Sequence, residues 1–202
     1  MADSCFTYRP RSGPAAALAI WALAALALVS LASARPGDLI RWGPAVACVC
    51  LAAWAVFWAP DVRVDEDAVT VRNVAASHRV PWAAIARIDT KWALTLFTAQ
   101  GRVTAFAAPA PSSLRRQRDA PAEIRHLPES TFDAGRSVRP GDLPGTASGD
   151  LAWVVRERWE ATRDAGPTGA ASGERITRRW HTRRLAALSA LAALAVLAPL
   201  VF

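Results

Sequence analysis

Cysteine is scarce in this chain: Cys5, Cys48 and Cys50 are the only three in 202 residues. The long polar stretch has none, so it carries no disulfide framework, as suits a reducing compartment. Cys48 and Cys50 sit two residues apart in an apolar run. On a helix they point about 200° away from each other and neither pair nor share a metal. Lysine is scarcer still, with Lys91 alone among 24 basic residues. Arginine supplies the rest, a bias of the kind a GC-rich coding sequence produces. The three histidines, His78, His126 and His181, share no H-E-x-x-H or Cys/His spacing, so they form no recognisable metal centre and read as solvated or locally bonded. Ser112, Ser113, Ser130 and Ser148 have no base or oxyanion framework near them. Gly145-Thr146-Ala147-Ser148-Gly149 lacks the Gly-Lys-Ser/Thr end of a phosphate loop. Asp65-Glu66-Asp67 lacks the downstream Gly and Glu of a calcium loop and reads as a β-turn. These absences leave no catalytic residue, cofactor site or metal ligand to assign, and the chain reads as non-enzymatic. The net charge of +7 would suit nucleic acid, but acids are scattered among the arginines and no aromatic-studded basic groove is present, so that partner is set aside.

What the chain has in abundance is apolar residues, 52% of it, gathered in three blocks. Ala15 to Ala34 carries no charge and at about 1.5 Å per residue is long enough for a hydrocarbon core. Trp42 to Ala59 has Trp42 and Trp58 near its ends, where aromatic anchors favour the interface. Leu185 to Phe202 has no polar face, which favours a span over a buried core helix. Arg35-Pro36-Gly37-Asp38-Leu39-Ile40-Arg41 joins the first two as a tight turn, giving a helical hairpin after a tail at residues 1–14. The first block, which ends in Ala32-Ser33-Ala34, could also be a signal peptide, but it is longer than a usual h-region and a second span follows directly. Arg175, Arg178, Arg179, Arg183 and Arg184 precede the third block, and positive charge marks the cytoplasmic side. The expected protein is therefore a three-span protein of the inner (plasma) membrane, with its N-terminus and polar domain cytoplasmic and its C-terminus outside.

Between the second and third blocks the period changes to two. Val62-Arg63-Val64 and Val69-Thr70-Val71-Arg72 alternate around Asp65-Glu66-Asp67, and Ala75-Ala76-Ser77 breaks the pattern. His78-Arg79-Val80 starts another strand that Pro81 places at an edge or end. Ile85 to Ile88 follows. Leu94 to Thr98 and Val103 to Phe106 form a hairpin with Gly101 in the turn. This predicts five or six short, mostly antiparallel strands over 61–108. A Pro/Gly-rich loop is expected at 109–149. A helix is expected at 150–164, with Leu151, Val154, Val155 and Trp159 on one face and Asp150 as N-cap. A basic linker follows at 165–184.

Val62-Arg63-Val64-Asp65, Val69-Thr70-Val71-Arg72-Asn73, Val80-Pro81-Trp82-Ala83-Ala84-Ile85 and Ile88-Asp89 resemble the bacterial pleckstrin-homology-like (PH-like) domain of actinobacterial membrane proteins, the low-molecular-weight protein antigen six PH domain family. Two N-terminal spans before such a domain also resemble that family. The resemblance implies an α+β architecture: a helical hairpin, a small antiparallel barrel or roll with a C-terminal capping helix, and a last transmembrane helix. It implies no activity. PH domains that bind phosphoinositides use basic residues in the first strand–strand turn, and here Asp65-Glu66-Asp67 would repel phosphate.

Two surfaces remain as candidates. Arg175, Arg178, Arg179, Arg183 and Arg184, with Trp180 among them, suit anionic lipid headgroups at about 1 kcal/mol per arginine. Arg79, Arg87, Lys91 and Trp92 suit a protein partner or self-association, with Trp82 read as core and Trp92 as open. The expected role is a membrane-anchored binding or scaffolding module without cofactors. The alternative is an accessory subunit of a transport or enzyme complex. Transport by this chain alone is disfavoured because the spans offer only Ser30, Ser33, Cys48, Cys50 and Ser189 as polar side chains.

Overall fold

Valines at every second position decide where the sheet begins. The computed structural model describes residues 6–10, 12–35, 37–109, 147–164 and 175–201. The expectations about Cys5, His126, Ser112, Ser113, Ser130 and the body of the Pro/Gly-rich loop lie outside those residues. The chain divides into two units. One comprises Met1–Arg9, Asp61–Asn73 and Ser77–Arg179; the other comprises Pro10–Pro60, Val74–Ala76 and Trp180–Phe202.

In the first unit, β1 (Phe6–Tyr8), β2 (Asp61–Val64), β3 (Ala68–Arg72), β4 (Ala76–Pro81) and β8 (Thr177–Trp180) form a five-stranded sheet in the order β1-β2-β3-β4-β8. A second sheet holds β5 (Ile85–Asp89), β6 (Ala93–Thr98) and β7 (Gly101–Pro109). Val62, Val64, Val69, Val71 and Val80 are buried from the first sheet, and Ile85, Ile88, Leu94, Leu96 and Val103 from the second. Arg63 and Arg87 point outward, as a period-two pattern requires. β5 and β7 each carry a register shift against β6, which lets a short sheet bend around the core. The β6–β7 turn is Ala99-Gln100, closed by Thr98 opposite Gly101. Gly101 has φ +133°, a backbone conformation that a side chain would strain.

Pro81 ends β4 because it has no N–H for the ladder. The next residues, Trp82–Ala84, make a single 3-10 turn that leads into β5. Trp82 is 3% exposed. Its backbone N–H donates to the Asp67 carbonyl and its indole N–H to the Asp65 carbonyl, both at 3.2 Å. The Pro-Trp pair therefore fixes the β2–β3 turn as well as the corner between the sheets.

α3 (Ala147–Asp164) buries Leu151, Ala152, Val155 and Trp159 in the same core. The Trp159 indole N–H donates to the Ile85 carbonyl at 3.1 Å, in a buried position. This is the capping helix of an α+β PH-like fold. It begins three residues before Asp150, so that acid falls in the first turn and not at the N-cap, still at the positive end of the dipole. Arg156, on the same helix, is 2% exposed.

The flanks depart further from expectation. The tail at 1–14 contributes β1, which pairs antiparallel with β2. The linker at 165–184 contributes β8 at the β4 edge. β4 itself starts at Ala76, inside the stretch expected to break it. β1 and β8 are mostly exposed edge strands, so neither carries burial alternation in its sequence. Each flank still sends one residue to the core, Tyr8 and Ile176.

In the second unit, α1 (Ser12–Ala34) and α2 (Gly37–Ala53) are followed by one π-helical turn, Trp54–Trp58, and α4 (Thr182–Val201) comes last. Among the described residues three helices are long and apolar enough to cross a membrane: Ser12–Ala34, Gly37–Trp58 and Thr182–Val201. α2 starts five residues before Trp42, so Asp38 and Arg41 belong to the helix and not to the turn. The Arg41 guanidinium donates to the Pro199 carbonyl at 3.3 Å, placing positive charge on the C-terminal end of α4. The Trp21 indole donates to the Cys50 carbonyl at 3.1 Å and stacks on Trp58 with centroids 5.7 Å apart. Gly13 is the close-approach point: a Cβ there would lie 2.2 Å from the Phe57 carbonyl oxygen.

Replacing Trp159 with Ala removes both core volume and the bond to Ile85. It should destabilise the β unit by about 3–5 kcal/mol, read as a lowered urea midpoint of the full-length protein in detergent. An unchanged midpoint would mean that α3 does not cap the sheets.

Candidate functional site

The β2–β3 turn, where a phosphoinositide-binding PH domain would be basic, is acidic and already engaged. Arg79 on β4 reaches across to Asp65 at 3.5 Å and to Asp67. The register explains the reach, because Ala68 at the end of the turn lies opposite Pro81. Arg79 therefore serves the turn, and only part of its charge is offered to a partner. This arrangement neutralises one of three acids and leaves the turn unsuited to phosphate.

Arg87, Lys91 and Trp92 belong to the other sheet. Arg87 lies opposite Phe97 in the β5–β6 register, and its guanidinium carbon is 4.2 Å from that ring. The Asp89 carboxylate accepts the Lys91 backbone N–H at 3.0 Å and shapes the β5–β6 turn. Trp92 at the turn's tip is 77% exposed, with the Lys91 ammonium 5.9 Å from its ring centroid. The four residues expected to form one partner surface therefore split, with Arg79 on the five-stranded sheet and the other three on the three-stranded one.

Of the arginines expected before the last span, three precede α4 and two lie in its first turn. Arg175, Arg178 and Arg179 are exposed in the β unit. Arg183 and Arg184 belong to the helical unit, where the Arg184 guanidinium donates to the Val74 carbonyl at 3.1 Å and lies 4.6 Å from the Trp54 ring centroid. His78 on β4 is half-buried. Burial first, and the Arg178 charge second, hold its imidazole below the usual histidine pKa. On the tail strand, Tyr8 is raised above the usual phenol value by burial and by the Asp150 charge.

The cluster that sequence reasoning missed is centred on Asp61. Its side chain is 1% exposed and is ringed by Arg72 at 3.3 Å, Arg9 at 3.6 Å and Arg63 at 4.0 Å. Asp61 stands opposite Arg72 in the β2–β3 register. Arg9 follows β1, so this carboxylate joins three segments of the unit. The sequence signal was an acid two residues after an apolar block and two before an arginine.

With this geometry in hand, residues 59–141 match the family model described as the bacterial PH domain. The match takes in β2 to β7. A comparison with curated proteins and one with solved structures return no match. The chain carries a bacterial PH-like domain, and its three apolar helices make it consistent with a membrane-associated binding module. Domains of this kind are generally non-catalytic.

The depressed His78 pKa has a testable sign. The folded state binds the proton less readily than the unfolded chain, so stability is present above the unfolded value near 6.5 and is lost as pH falls through the folded value. His78→Gln should flatten that acid limb in urea unfolding of the full-length protein. Arg178→Gln should raise the imidazole pKa followed by NMR. An unchanged titration in Arg178→Gln would rule out the repulsion.

Proposed function

We propose that this protein is a non-enzymatic binding or scaffolding module, held at the cytoplasmic face of the plasma membrane by three spans. The observation that carries the proposal is the strand order β1-β2-β3-β4-β8. In sequence, β1 runs into α1, β2 follows the α2 segment and β8 runs into α4. Strands that pair must lie on one side of a bilayer, and two crossings between β1 and β2 satisfy that. The same pairing argues against removal of the first span, because cleavage after Ala34 would take β1 with it. The domain side carries Arg9, Arg63, Arg72, Arg175, Arg178 and Arg179, against Arg35 at the hairpin bend and Arg41 near the start of α2, and positive charge favours the cytoplasm. Arg41 fits the far side because it serves the end of α4.

The binding surface is the β5–β6 turn. An exposed tryptophan beside a lysine, on rigid strands, is the kind of anchor that carries binding energy. Arg87 extends it along β5. The arginines before α4 add attraction to anionic headgroups, about 1 kcal/mol each.

Orientation is checked by single cysteines in a background lacking Cys5, Cys48 and Cys50. Glu157→Cys should resist a membrane-impermeant maleimide in intact cells, and Asp38→Cys should label; the reverse pattern overturns the orientation. Partner binding is checked by crosslinking the full-length protein in native membranes. A stoichiometric adduct, hetero-complex or dimer, should form with the wild type and fall about tenfold in yield with Trp92→Ala plus Lys91→Glu. An adduct equally strong in both would remove the turn from the interface.

A further inference from the structure

We propose that the helical unit holds the phosphodiester headgroup of an anionic glycerophospholipid in a pocket where the end of α2 meets the start of α4. The proposal rests on the reading of these helices as spans. The cavity is about 530 Å³, within the roughly 300–1,000 Å³ range of small-molecule sites. One wall is apolar, made by Leu51, Trp54 and Trp180. Thr182, Arg183 and Arg184 supply the polar wall. Trp54 opens the π-helical turn, where its carbonyl accepts the Ala59 N–H at 2.9 Å, and such turns recur at functional sites in helices.

The chemistry of the lining selects the ligand. With His181 it has two guanidinium groups, one imidazole, one hydroxyl and no carboxylate, which suits a phosphate anion with fork-shaped donors beside it. Arg184 is set in place by the Val74 carbonyl and the Trp54 ring. Its positive charge over the Trp54 ring disfavours a choline ammonium there, and the lining has no acid to take an ethanolamine. Arg183 is exposed and supplies the second guanidinium donor. Leu51 and the two tryptophans offer the apolar side that glycerol and the first methylenes of an acyl chain require. At the end of two spans, the ligand that joins these chemistries is a lipid of the phosphatidylglycerol type.

The test is native mass spectrometry of the full-length protein released from nanodiscs containing phosphatidylglycerol and phosphatidylcholine in equal amounts. The wild type should retain one phosphatidylglycerol and exclude phosphatidylcholine. Arg183→Gln with Thr182→Val should lower retention about tenfold, as the loss of a charge-assisted donor implies. Arg175→Gln with Arg178→Gln and Arg179→Gln, a same-charge control outside the pocket, should retain the lipid as the wild type does. Equal retention in the Arg183 variant, equal loss in both variants, or retention of phosphatidylcholine would each overturn the site. Displacement of the lipid by millimolar inorganic phosphate would also overturn it, by assigning the pocket to the free ion. Helix content by circular dichroism confirms that each variant is folded. Cysteine accessibility reports the spans separately, so a failed pocket and a failed topology give different results.

Discussion

Everything in the β unit leans on the antiparallel ladder that sets Phe6 against Val64, Thr7 against Arg63 and Tyr8 against Val62. Through it, a segment that precedes two long apolar helices becomes the edge of a sheet built from residues beyond them. The ladder brings Tyr8 to the core and Arg9 to Asp61. A carboxylate this deeply buried would be costly alone, and the three guanidinium groups around it offset that cost. They remain partly solvated, so the cluster acts more as a register pin than as a large source of stability.

A second constraint sits at the corner between the sheets. Trp82 fills the core with its ring and uses both its backbone and indole N–H groups on the β2–β3 turn. Arg79, three residues earlier, binds the acids of that same turn from outside. The turn is therefore held from its inner and outer faces, and its acidic character is part of the packing scheme. A basic turn at this place would repel Arg79.

The legible parts of the fold were those where burial writes a period into the sequence. Val62, Val64, Val69, Val71, Leu94 and Leu96 alternate with polar residues because one face is dry, and Leu151, Val155 and Trp159 recur at helical spacing for the same reason. The long apolar helices announced themselves by lack of charge. β1 and β8 were not legible, because an exposed edge strand has no dry face to mark it. Asp61 was not legible because its partners are set by register and by a contact spanning two helices, neither of which is local. Of the surface residues, Trp92 stands open as its sequence suggests, whereas Arg79 is occupied by the acids of the β2–β3 turn.

The origin of β1 has a consequence for biosynthesis. Phe6–Tyr8 is made before the hairpin helices, yet its partner β2 is made only after them. Its opposite number at the far edge, β8, comes just before the last of the three helices. The sheet can thus be completed only after both hairpin helices have been made. A chain in which β1 fails to reach β2 leaves one edge of the sheet open and a tyrosine out of the core.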